Sequence, residues 1–469
     1  MRRISAAEIA TIVQGRYSGP DNLYLNAGVS FDSREVGKGD LFLAMKGEAR
    51  DGHDFLDDAF AKGAALAFTQ RSTHHPHIEV ADVISAISVL ARELRAELTG
   101  LKVIGITGSQ GKTTTKDILA TVLATQGPTV VARGSFNNEL GVPITLLQCD
   151  EKTQYCVVEM GARHTGDISA LVKIARPNVG AVLKVGNAHL GEFGSREKIA
   201  QTKSELVRGL DLGATAVLGN YDEFTPRMAD GLGLPTILFG EKNNCQIRAA
   251  DIEIRGGYPH FDLVTPEGRE RTELQLLGEH QIANALAAAA ISFALGMKTA
   301  DIAAALSTHH SHSKWRMELS EGREIVLIND SYNANPESMA AALRTLALLT
   351  QERGGRSWAF LGTMHELGPD SAALHKEIGQ LVHSLGIDHL VAIGNRDYLT
   401  RASATSEQFF ATAKEAEQMI DKFEPGDVLL IKASRAEHLE VLADEVKKFL
   451  HVSPATDEAG FDGTKGDRR

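Results

Sequence analysis

The run Gly105-Ile106-Thr107-Gly108-Ser109-Gln110-Gly111-Lys112-Thr113-Thr114-Thr115 has the residue types and spacing to hold a polyphosphate. Glycines lacking Cβ let successive backbone N–H groups turn toward one anion, and a helix N-terminus adds its partial positive charge. Gly108 and Gly111 give that freedom, Lys112 can reach the outer phosphates, and the Thr113 hydroxyl, with Thr114 beside it, can meet a Mg2+ ion. The pattern reads Gly-x-x-Gly-x-x-Gly-Lys-Thr, with Ile106 where the usual phosphate loop has its first glycine.

A phosphate loop says that a nucleotide binds; other residues must choose the reaction. Glu159 ends an apolar run and stands where ATPases of this kind carry an acidic metal partner, although a capping or solvated glutamate has the same local signature. His189 follows the next apolar run, where a neutral imidazole could ligate a metal or orient water, or simply satisfy a loop. Lys203 falls on the apolar stripe of Ile199, Leu206 and Leu210 at helical spacing, the wrong face for a solvated lysine. Desolvation lowers a lysine's pKa, and an uncharged amine can take up CO2 to become a carbamate able to bind Mg2+. Snorkelling to the surface is the bland alternative. Further on, Asn335 and Pro336 suit a helix N-cap and first turn, which leaves Asp330, Tyr332 and Asn333 unexplained at the carboxyl end of a strand, where ligands bind. His309, His310 and His312 lie in a polar stretch that reads as a hinge.

These residues need a frame. Apolar runs at 103–107, 155–159, 179–185 and 214–218 alternate with helical patterns, which predicts a mainly parallel sheet covered by helices, with ligands at the strands' carboxyl ends. Residues 245–276 alternate apolar and polar like antiparallel strands, and an alanine-rich helix follows over 282–295. A second series at 325–328, 358–361, 390–393 and 428–431 predicts a smaller doubly wound, Rossmann-like domain. Ahead of both, strands at 29–31, 40–45 and 64–69 and helices at 55–62 and 83–98 make a small α/β unit. The expected fold class is therefore α/β in three domains, 1–99, 100–308 and 309–452, with 453–469 a polar tail expected to be disordered.

The bulk composition excludes whole classes of function. A net charge of −12, from 49 basic and 61 acidic residues, argues against nucleic acid and anionic membranes as partners, so anionic ligands need local positive sites. Cys149, Cys156 and Cys245 are odd in number and lack metal or redox spacing, which suits a reducing compartment, and cytoplasm is the expected location. No run of apolar residues is long enough to span a membrane.

Taken together, these stretches resemble the Mur ligase family over nearly the whole chain up to about residue 450. The likeness is carried by Gly105 to Thr115, Asn137-Asn138-Glu139-Leu140-Gly141-Val142-Pro143, Glu159-Met160-Gly161-Ala162, Ala188-His189-Leu190, Lys203, Gly278-Glu279-His280 with Asn284-Ala285-Leu286, and Asp330-Ser331-Tyr332-Asn333-Ala334-Asn335-Pro336. Asp32-Ser33-Arg34 with Gly39-Asp40-Leu41-Phe42 is similar to the family's UDP-sugar-binding domain, and the two asparagine-containing motifs point to the branch that acts on D-alanyl-D-alanine. The resemblance implies ATP-dependent amide ligation through an acyl phosphate, with UDP-N-acetylmuramoyl-tripeptide and D-alanyl-D-alanine as substrates, by a chain that acts as a monomer. It implies phosphate contacts from Lys112, one Mg2+ at Thr113 and Glu159, and a second supported by His189 and carbamylated Lys203. It also implies Asn284 near adenine, Arg316 near the phosphates and Asp330 at the ribose. Ser33, Arg34, Asn137 and Asn138 would face the UDP-muramoyl substrate, and Tyr332, Asn333 and Asn335 the dipeptide.

The chain departs from the family pattern at Trp315, in a usual glycine position, and at Gln281, Thr363 and Ala433. The alternatives are a sister ligase adding a diamino acid to the dipeptide precursor, whose Asp-Asn-Pro-Arg motif is missing here, a folylpolyglutamate synthase, and a nucleotide switch that hydrolyses ATP without ligation.

Overall fold

The computed structural model of the protein describes residues 1–47, 50–186, 190–311, 313–400 and 405–451. The chain forms three α/β domains, each built on its own sheet. Among the described residues the central sheet has nine strands, in the order Gly268–Glu273, Tyr258–Thr265, Ile247–Arg255, Thr236–Gly240, Thr215–Gly219, Val179–Val182, Lys102–Thr107, Tyr155–Glu159 and Thr129–Val131. All neighbours from Ile247–Arg255 to Thr129–Val131 pair in parallel, and the other two strands continue antiparallel, as the alternating pattern after residue 245 predicts.

Alternate side chains of these strands enter different cores, which is why the runs read as continuously apolar rather than alternating. Ile104, Ile106 and Val157 pack on one face with Ile118, Leu119 and Val122 of helix Lys112–Ala124 and with helix Gln281–Ala294. Val103, Val158 and Val182 pack on the other face with Ile168, Leu206 and Val207. The strand Lys102–Thr107 lies between Val179–Val182 and Tyr155–Glu159, so the loop after it opens between the ends of both neighbours.

The C-terminal sheet runs Glu318–Gly322, Ile325–Asp330, Val428–Lys432, Ser357–Leu361, His389–Ile393 and Ser406–Phe410. Its first pair is an antiparallel hairpin and the rest are parallel. Helix Pro336–Arg353 starts as predicted: the Asn335 side chain accepts from Ser338 N at 2.9 Å, the Ser338 hydroxyl accepts from Asn335 N at 3.1 Å, and Pro336 fills the first turn. The N-terminal sheet orders Arg16–Ser18, His77–Glu79, Leu66–Thr69, Leu41–Leu43 and Val29–Ser30, backed by helix Val83–Glu97. The short strands Arg16–Ser18, His77–Glu79, Thr129–Val131, Glu318–Gly322 and Ser406–Phe410 carry no sequence pattern long enough to announce them.

Candidate active site

Helix Lys112–Ala124 begins directly at the loop, with Gly111 as its N-cap at φ 83°. A Cβ there would stand 2.3 Å from Asn284 Oδ1, so the loop needs glycine both for its left-handed backbone and for the space. The Lys112 ammonium donates to Gly108 O at 2.7 Å, which curls the side chain back over the loop it serves. Burial lowers the Lys112 pKa, opposed by the charge of Glu159.

Glu159, fully buried at the end of its strand, directs Oε2 to the Thr113 hydroxyl at 3.3 Å. Its Oε1 has no hydrogen-bond partner, and the Lys116 ammonium stands 3.9 Å from it. An ionised carboxylate oxygen left so poorly satisfied in a buried place is costly, and burial accordingly pushes Glu159 above the ordinary carboxylate range. A hard cation shared with the Thr113 hydroxyl would satisfy that oxygen, so the donors present fit Mg2+.

Lys203 is 6% exposed and makes no hydrogen bond or ion pair among the described residues. Burial, with the positive charge of Lys112 adding to it, brings its pKa down to about 7. The stripe therefore holds the amine inside, as its spacing predicts, and the snorkelling alternative does not describe this residue. His189 lies outside the described residues, as do His312 and the tail after residue 451. His309 and His310 line a separate cavity, and the His309 ring bonds the Thr121 hydroxyl at 2.7 Å.

The cavity over the loop, about 340 Å3, is lined from both the central and C-terminal sheets. Lys112, Lys184, Arg316 and Lys432 give an acidic chain the local cations that an anionic ligand requires. Arg316 reaches the Thr113 hydroxyl at 3.2 Å and lies 4.0 Å over the Tyr332 ring. Asp330 is fixed by the Lys432 ammonium at 2.6 Å and by Met317 N at 3.1 Å. Asn284, held by Gln281 at 2.8 Å, and His280, which burial brings down to about 4, line the same cavity. Asn137, Tyr332, Asn333 and Asn335 line it as well.

The structure does not bring every sequence candidate there. Asn138 is exposed and spends its side-chain oxygen on Gly141 N at 3.0 Å, starting helix Gly141–Leu147. Arg34 is paired with Asp32 at 2.6 Å in the N-terminal domain. Its loop nonetheless meets the one carrying Asn137: the Phe31 and Phe136 rings pack at a tilt with centroids 5.9 Å apart, and Arg133 pairs with Glu35 at 3.0 Å. Ser33 lies in the same turn as Arg34.

Sequence reasoning missed Ser135, whose hydroxyl meets Tyr332 OH at 2.7 Å and the Thr113 hydroxyl at 3.3 Å. It also missed Gln110, which donates to Asn335 Oδ1 at 2.9 Å and to Glu337 at 3.2 Å, and Lys116, which braces the loop after Thr129–Val131 through Ala132 O at 2.8 Å and Gly134 O at 3.0 Å. Gln110 sits inside the phosphate loop, which was the one available hint.

Three family descriptions match the chain: Mur ligase family, catalytic domain, at residues 27–118; Mur ligase middle domain at 106–292; and Mur ligase, glutamate ligase domain, at 315–435. A UDP-N-acetylmuramoyl-tripeptide--D-alanyl-D-alanine ligase of Mycobacterium tuberculosis is 37% identical, over 95% of this chain and 98% of its own. A crystal structure of MurF from Acinetobacter baumannii superposes with a TM-score of 0.87 at 34% identity, covering 96% of this chain and 99% of that one. MurF ligase from Thermotoga maritima, solved in complex with ADP, superposes with a TM-score of 0.78 at 28% identity, covering 90% and 97%. On likeness of this kind and extent, the chain belongs to the Mur ligase family.

Proposed function

We propose that this ATP-dependent amide ligase joins D-alanyl-D-alanine to UDP-N-acetylmuramoyl-tripeptide, giving the UDP-muramoyl-pentapeptide. The observation that carries the reading is the shared cavity, where the phosphate loop of the central sheet meets the turn from Asp330 to Asn335 on the C-terminal sheet. A carboxylate resists amine attack because its oxygen is a poor leaving group. The tripeptide carboxylate oxygen therefore attacks the γ-phosphorus of ATP, expelling ADP and forming an acyl phosphate. The dipeptide nitrogen then attacks the acyl carbon, phosphate departs with the bonding pair, and the nitrogen loses its proton to complete the amide.

The chain's own groups position these partners. Lys112 and Arg316 face the phosphates, Gly108, Gly111 and Thr114 shape the cradle, and Asn284 and Asp330 lie toward the base and ribose. Thr113 and Glu159 would hold Mg2+, with His189 and a carbamate on Lys203 supporting a second ion, and the metal supplies charge neutralisation where anions crowd. The Lys203 amine, which has no partner among the described residues and a pKa brought down to about 7, supports the carbamate, because CO2 adds only to the free base.

Residues 1–99 would present the UDP-muramoyl substrate through Ser33 and Arg34, with Asn137 and Asn138 of the 100–308 ATP domain, and residues 309–452 the dipeptide through Tyr332, Asn333 and Asn335. The same reading has the chain working as a monomer in the cytoplasm, which three free, buried cysteines suit. No helix among the described residues is long and apolar enough to cross a membrane. Phosphate release with purified UDP-muramoyl-tripeptide and each candidate acceptor in turn is the test. Release that requires both donor and D-alanyl-D-alanine is expected, and ATP hydrolysis indifferent to both would sink the reading.

A further inference from the structure

The N-terminal domain carries a cluster of metal-ligating side chains that the ligation does not use. Asp57 stands in the first turn of helix Leu56–Lys62, and His74 and His75 in the loop from strand Leu66–Thr69 to strand His77–Glu79. Both imidazoles turn Nε2 toward one oxygen: Asp57 Oδ1 lies 2.7 Å from that of His75 and 3.3 Å from that of His74. One ligand atom from each residue lies within 4.8 Å of the other two, and among the described residues no other three histidine, cysteine or carboxylate side chains converge in this way.

Neighbouring side chains in an extended chain point apart, so the loop must bend to bring these two histidines together. It does so around a fixed ring. His75 stacks on Phe60 with centroids 4.1 Å apart and planes 3° apart, the His74 ring packs against it at 4.0 Å, and the buried His77 donates Nδ1 to the His75 carbonyl at 2.8 Å. Asp57 and His74 face solvent, and the cavity of about 460 Å3 that they help to line gives water room to complete a coordination shell.

As ion pairs, two imidazoles on one exposed carboxylate contribute little. As ligands, two neutral ring nitrogens and a carboxylate oxygen make a donor set that suits Zn2+ or Ni2+ and not Mg2+. Ligand atoms in a tetrahedral zinc shell stand roughly 3.3 Å apart, so the Asp57–His74 separation already fits and the Asp57–His75 pair need open only slightly.

We infer that Asp57, His74 and His75 form a transition-metal site of the zinc class that clasps helix Leu56–Lys62 to the loop before His77–Glu79. The cavity beside it shares no lining residue with the cavity over the phosphate loop, so the inference stands apart from the ligation proposed above.

The test titrates the metal-free full-length protein with Zn2+ by calorimetry, in excess Mg2+ that keeps the hard-cation sites filled. It compares the parent with Asp57→Asn, with His75→Phe, which keeps the ring on Phe60 and removes the ligand, and with His164→Ala, an exposed histidine outside the cluster. The parent and His164→Ala are expected to take up one equivalent of Zn2+ that both cluster variants lose or bind at least about 10-fold more weakly. Zn2+ should raise the melting temperature of the parent and leave those of the two cluster variants where they are, while their metal-free melting temperatures report that they fold. Zn2+ uptake that is the same in the parent and both cluster variants, nil included, overturns the inference.

Discussion

An amine buried on an apolar helix stripe must lose its charge or find a partner, and Lys203 shows no partner among the described residues. Its pKa of about 7 lies below the ordinary 10.5, so between those values the folded chain binds fewer protons than the unfolded one. Stability therefore rises with pH across that window, and the burial penalty is complete below it. In CO2-free buffer, Lys203→Met should raise the melting temperature more at pH 6 than at pH 9, read by calorimetry. Lys203→Ala should nearly abolish ligation and recover part of it with short carboxylic acids that replace the carbamate; full activity without them would remove the carbamate from the mechanism. Asp330 makes a different case, because its partner Lys432 is 2% exposed. Asp330→Ala should raise the KM for ATP and also cost about 3–5 kcal/mol of stability by stranding a buried ammonium. Adding Lys432→Met should recover the stability and not the ATP affinity; a denaturant titration beside the kinetics separates the two.

At the scale of elements, two helix starts carry the chemistry. The loop helix begins on Gly111, and Gly111→Ala should both strain the left-handed backbone and displace Asn284. A loss of about 1–3 kcal/mol with at least a tenfold rise in the KM for ATP is expected, measured by thermal unfolding and steady-state kinetics. The other start, at Asn335, was legible because a cap and a proline sit where local rules put them. Its second duty, accepting from Gln110 of another domain, was not legible, because Gln110 and Asn335 are neighbours only after both domains have folded. The Trp315 departure is likewise explained by its backbone: the position is left-handed, with φ 60°, which is why glycine suits it and why tryptophan there is held by its N–H on Glu318 at 3.0 Å and by its carbonyl, which accepts from Tyr332 N at 3.1 Å. Ala433 packs against Gly362, so its extra methyl group is accommodated where glycine is usual.

At the scale of the molecule, the central and C-terminal sheets meet through Gln110 with Asn335 and Glu337, Arg316 with Thr113, and Tyr332 with Ser135. The Gln110 and Ser135 contacts join the nucleotide loop, or the hydroxyl beside it, to the acceptor side, and Arg316 ties the C-terminal domain to the phosphate side, so ATP and acceptor bias one closure. Gln110→Ala should therefore raise the KM values for ATP and dipeptide together, by about 5-fold, with the melting temperature nearly unchanged. A rise confined to one substrate would show that the contact serves that ligand and not closure.

The sequence by itself determined the phosphate loop, the strand that ends in Glu159, the inward Lys203 and the α/β alternation in three parts, because each depends on residues within a few turns of one another. Local spacing carries backbone conformation and the facing of a helix, and both survive into the folded state. Only the tertiary structure decided that Ser135 joins Thr113 to Tyr332, that Lys432 holds Asp330, and that Trp315 supports Arg435. Those contacts join residues far apart in the chain, whose meeting is set by sheet order and domain packing, and no short window of sequence contains that information.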